Sequence, residues 1–166
     1  MMRISHTISL ALTALLLSAP PLLARDPMPP ACALLQALPD TSLSGDNLRF
    51  NTLQDRENGD IRMSMCSVTT GDDQQIVTLL LRQTLSKTAP QPAKAQRDAM
   101  IAELAKTFGH KPELTLPDIG EAAAWTPEIG QLSVWYQSGR VMFIVGGAKS
   151  EAAATHLAHR IVLTFP

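Results

Sequence analysis

From residue 48 onward the apolar positions fall into two periods. Residues 48–54 (LRFNTLQ) begin with alternation that puts Leu48, Phe50 and Thr52 on one side. Residues 61–68 (IRMSMCSV) alternate throughout, with Ile61, Met63, Met65 and Ser67 on one face and Arg62, Ser64, Cys66 and Val68 on the other. Residues 75–83 (QIVTLLLRQ) are apolar on both sides in their middle, the composition of a central strand. The Asn58-Gly59 pair and Gly71-Asp72-Asp73 mark reversals between these runs, so the three read as an antiparallel meander.

The period then changes. Residues 92–108 carry Met100, Ile101, Leu104, Ala105 and Phe108 on one stripe, with proline at the start and Gly109 and Pro112 past the end. This predicts a helix. Residues 131–137 and 140–145 return to strand patterning around Ser138-Gly139, and residues 121–125 fit either a helical turn or a short strand. Ser150 is the expected cap of a last helix whose buried stripe is Leu157, Ala158, Ile161, Val162 and Phe165, with Glu151 placed to complement its dipole. A short helix at 31–38 precedes the first strand, and Pro39-Asp40 ends it.

The order α-β-β-β-α-β-β-α predicts an α+β domain: one twisted antiparallel sheet of about five strands with helices packed on one face. The halves share a strand–strand–helix rhythm. Residues 1–24 read as an export signal, with Arg3 before an apolar run at 8–17 that is short for a bilayer span. Residues 25–30 form a proline-rich tether, and 31–166 the single domain. Beyond the signal no run is long and apolar enough to cross a membrane. The expected location is the periplasm or the medium.

Charge and cysteine narrow the partners. Without Arg3 the chain holds 13 basic and 15 acidic residues, a balance that gives no field for nucleic acid or anionic lipid. In an oxidising compartment the two cysteines, Cys32 and Cys66, are expected to pair. A lipid-modified Cys32 is disfavoured, because Met28-Pro29-Pro30-Ala31 lies too far past the apolar run and places proline where an aliphatic residue belongs.

Three pieces recur in order: Cys32-Ala33-Leu34-Leu35 after a proline-rich leader, Cys66 in a strand, and Leu116-Pro117-Asp118-Ile119-Gly120-Glu121-Ala122-Ala123-Ala124-Trp125 before a hairpin and an alanine-rich last helix. Together they resemble small exported lipoproteins and kinase-linked extracellular sensor domains. The sequence departs from that pattern in lacking a lipobox and in carrying Ile-Gly-Glu-Ala where Leu-Gly-Asp-Ala is usual. The resemblance implies an α+β fold and a binding or sensing role, with no catalytic residue to carry over.

The remaining chemistry is sparse. His156 and His159 stand side by side on the last helix but lack a local third ligand. Met63 and Met65 suggest a soft-metal pair, yet the period of two turns Cys66 the other way, so they read as core methionines beside a disulfide. There is no Gly-x-Ser-x-Gly elbow, phosphate loop or calcium loop. No metal or cofactor is expected, and an enzyme is the less favoured class. Trp125, Trp135, Tyr136, Met142 and Ile144 are the candidate binding residues, because 116–147 holds both tryptophans, the only tyrosine and five of the nine glycines. The expected function is an exported, non-catalytic binding or sensor-like module for an unknown protein or small molecule. The alternatives are an inhibitor or accessory subunit docking on a secreted enzyme or envelope complex, and a small hydrolase.

Overall fold

The computed structural model describes residues 28–39, 43 and 45–165. The export signal expected at 1–24 and the first residues of the tether lie outside them. Helix α1 (Ala31–Gln36) leads into a meander of β1 (Arg49–Asn58), β2 (Ile61–Thr69) and β3 (Gln75–Thr84). Helix α2 (Ala93–Phe108) crosses to a second meander, β4 (Ala122–Thr126), β5 (Gln131–Tyr136) and β6 (Val141–Gly146), and α3 (Glu151–Thr164) closes the chain. The strands form one antiparallel sheet in the order β1-β2-β3-β6-β5-β4. The α+β class and the element order match the pattern along the sequence. The added strand is β4, the alanine-rich segment that fits helix or strand equally by pattern alone. Pairing with β5 on one side and a two-hydrogen-bond bridge from Thr115 to Trp125 on the other decide it.

Register assigns every side chain to a face. On the first face lie Cys66, Val68, Val77, Leu79, Leu81, Val141, Phe143, Val145, Leu132, Val134 and Tyr136, all buried in the main core with α1 and α3 laid over them. The expectation of a single covered face holds for α1 and α3 and not for α2. Ala93 of α2 is buried with Ala122 and Trp135, and Met100 and Met142 pack on that cluster, which is the opposite face. The physical reason is that β5 carries one large ring on its otherwise polar side; Leu132 and Val134 take α3, which leaves Trp135 to be covered from beneath. Ala122 and Ala124 on β4 carry only a methyl group on that side, so a helix can come close.

The first helix is held by more than packing. Cys32 and Cys66 are bonded, with Cα atoms 5.0 Å apart, across 34 residues of chain. Closing such a loop contributes about 4 kcal/mol in the chain-entropy model. Pro30 supplies no side-chain cap to α1, and the buried Ser64 hydroxyl of β2 accepts from Ala31 N at 2.8 Å in its place. Met28 N donates to the buried Gln83 Oε1 at 3.0 Å, and Arg62 donates to Met28 O at 3.1 Å. At the same end of the strands, Gln96 Nε2 of α2 donates to Gly139 O at 2.8 Å, so the first turn of α2 is tied to the β5–β6 turn.

Both long helices end as their residues dictate. Gly109 closes α2 in the left-handed conformation at φ 74°. Ser150 caps α3 by accepting from Ala153 N at 3.2 Å. Gly120 is required by close approach: at φ 61°, a Cβ there would stand 2.6 Å from Trp135 O, the same carbonyl that accepts from Glu121 N at 2.8 Å.

Candidate functional site: the half-covered face of the sheet

The five aromatic and aliphatic residues singled out between 125 and 144 do not form one surface. Trp125 faces the main core at the β4 edge, and Tyr136 is buried in the same core at the opposite end of β5. The Tyr136 hydroxyl donates to Met28 Sδ at 3.4 Å, and its ring meets Phe143 edge-on with centroids 5.7 Å apart. Burial pushes the Tyr136 phenol well above its ordinary range. Trp135 is 2% exposed, enclosed by α2 on the opposite face. These three are structural. Met142 and Ile144 remain half-buried on the face that α2 shares.

That face is read across the strands in two rows. One runs Arg56, Met63, Arg82, Met142, Trp135, Ala122 from β1 to β4. The next runs Gln54, Met65, Leu80, Ile144, Ser133, Ala124. Helix α2 lies over the β4–β5 end. The remainder, a lane over β6, β3 and β2, carries Met63, Met65, Leu80, Met142 and Ile144, each half-buried. Apolar side chains on the other side of the same strands, such as Leu79, Leu81 and Phe143, are 0–3% exposed. Met63 and Met65 therefore sit opposite Cys66, as a period of two requires, but on open sheet rather than in the core.

Two arginines punctuate the lane. Arg82 stands between Met63 and Met142 in its row, and Arg56 stands outside Met63 on the edge strand. Among the described residues neither guanidinium has a hydrogen bond or ion pair, whereas Arg49, Arg62 and Arg97 each meet a carboxylate. Gln54 Nε2, on the same side of β1, is buried without an acceptor among the described residues. A positive charge between two thioethers disfavours a cation there, which argues against reading the methionines as soft-metal ligands.

Other features carry less. A notch of about 340 Å³ lies between α1 and β1, lined by Leu35, Leu38, Leu43, Leu48 and Phe50 among others. A second, of about 380 Å³, lies at the β2–β3 turn. Its polar groups engage each other: the Thr70 hydroxyl donates to Asp72 and holds that carboxyl below its usual range, and Gln74 N donates back to Thr70 Oγ1 at 3.1 Å. His156 and His159 are exposed on α3, and Glu151 accepts from the Thr115 hydroxyl. His110 approaches Glu128 at 3.3 Å. No three His, Cys, Asp or Glu side chains converge as metal ligands among the described residues.

Arg56, Arg82 and Leu80 were not singled out by pattern, although alternation contains the signal. Arg82 follows Leu81 and so must face with Leu80, and β3 is central, so its second face must meet something. No family model matches this chain, and neither a curated protein nor a solved structure matches it.

Proposed function

We propose that this protein is an exported, non-catalytic binding module that works through the uncovered lane of its sheet. The observation that carries the reading is the half-buried set Met63, Met65, Leu80 and Ile144, lying open beside α2 on strands whose other face is fully packed. Natural sheets cover such a surface or use it. Methionine adapts to the shape of what lands on it, which suits a recognition surface. The Cys32–Cys66 bridge and the apolar run at 8–17 support a periplasmic or secreted location. A docking role fits the resemblance to extracellular sensor domains and includes the accessory-subunit reading.

The test is site-specific photo-crosslinking in the native envelope. A photoreactive residue at Ile144 is expected to give discrete adducts, while one at exposed Ala152 on α3 gives none. Equal labelling from both positions, or none from Ile144, overturns the proposal.

A further inference from the structure

We infer that the occupant of the lane is an amphipathic α-helix of a partner protein whose apolar stripe is flanked by carboxylates. The inference rests on the reading of the lane as the binding surface and adds the chemistry of the guest. The first argument is width. Neighbouring strands stand about 4.8 Å apart, so β6, β3, β2 and β1 span roughly 14 Å. A helix with its side chains is about 10–12 Å across. The first face carries two helices, α1 and α3, and the second carries α2 alone over β4 and β5. What remains open is one helix wide. Helix α2 has apolar surface to offer a neighbour, since Ile101, Leu104 and Phe108 are only half-buried and Ala93 is its only buried residue.

The second argument is charge. Arg56 and Arg82 share a row of the lane and have no partner among the described residues. A guest with acidic residues beside its stripe supplies acceptors for both arginines; a guest with basic flanks meets like charge. The described chain begins at Met28, whose backbone is fixed to Gln83 and Arg62 on the opposite face.

The probes are two synthetic amphipathic helical peptides with the same apolar stripe, one flanked by Glu and one by Lys. Binding to the purified exported protein is followed by fluorescence anisotropy. The Glu peptide is expected to bind about ten-fold more tightly, the summed gain of two ion pairs over two repulsions, and to weaken as salt rises. Arg82→Glu is expected to reverse the preference. Exposed Arg56→Glu, which touches no packing, narrows it even if the Arg82 variant melts early. Equal binding of both peptides overturns the acidic guest while leaving the lane as a binding surface. Binding of neither overturns the helix. Concentration-dependent self-association abolished by Arg56→Glu makes the guest a second copy, and crosslinks from residue 144 to residues 1–27 make it the chain itself; either result overturns the inference.

Discussion

The two faces of the sheet are made by the same strands, yet they differ in every respect that governs stability. The first is continuous from β4 to β2, with Leu79, Leu132, Val134, Val141, Phe143 and Val145 all at 0% exposure. Two helices lie on it, one held by a disulfide and by hydrogen bonds to Ser64 and Gln83. The second face is dry only where α2 touches it, around Trp135 and Ala122. Adjacent residues show the contrast: Leu79 is fully buried and Leu80 is not, although they are chemically identical and consecutive. Hydrophobicity sets which residues seek cover, and the number of helices sets which of them obtain it.

Substitutions should separate the faces. Phe143→Ala is expected to cost about 3–5 kcal/mol, a transfer loss plus a cavity in a region that cannot collapse, measured by denaturant unfolding. A comparable cost for Leu80→Ala would erase the distinction; a smaller loss of about 1–2 kcal/mol is expected there, because part of its side chain is already in water. Replacing both Cys32 and Cys66 by Ala should remove roughly 3–4 kcal/mol and expose α1 to hydrogen exchange before α3. If α1 and α3 exchange together, the bridge does not hold α1 separately.

Smaller effects test the polar anchors. Ser64→Ala leaves the Ala31 N–H buried without an acceptor and should cost about 1–3 kcal/mol. Ser67→Ala, on the other face of β2, should cost less. The smallest change at neutral pH is Tyr136→Phe, and its signature lies in alkali. Burial raises the folded-state phenol above the ordinary value of 10.0, so the unfolded chain loses its proton first. The stabilisation is full below pH 10.0 and declines as pH rises from there toward the folded-state value. Phe at 136 should flatten that alkaline limb of the melting curve; an unchanged limb would show that the phenol ionises without unfolding.

Much of the architecture was legible because it follows from short-range periods. Alternation located β2 and β5, an apolar run located β3, the Ser138-Gly139 reversal located β6, and the turn chemistry at Asn58-Gly59 and Gly71-Asp72-Asp73 joined the first meander. By pattern the first strand ends near 54, because the charged run Asp55-Arg56-Glu57 leads straight into the Asn58-Gly59 turn. A bulge at Leu53 instead lets the strand continue to Asn58 with its charges on an open edge. The candidate site was legible only in part. Met142 and Ile144 do face the lane, but Trp125, Trp135 and Tyr136 are absorbed into packing. Large aromatic rings draw the eye toward recognition, whereas burial is their commonest use.

The sequence by itself determined the elements, their order and which side chains share a side of each strand, because these depend on neighbours within a few positions along the chain. The tertiary structure alone decided that α2 lies opposite α1 and α3, that Ser64 and Gln83 anchor the first helix, and that Arg56 and Arg82 share a row with Met63. Those facts depend on which strands become neighbours and on how many helices the sheet receives. No local period encodes either, since both depend on contacts between segments far apart in the chain, the pairing of β3 with β6 among them.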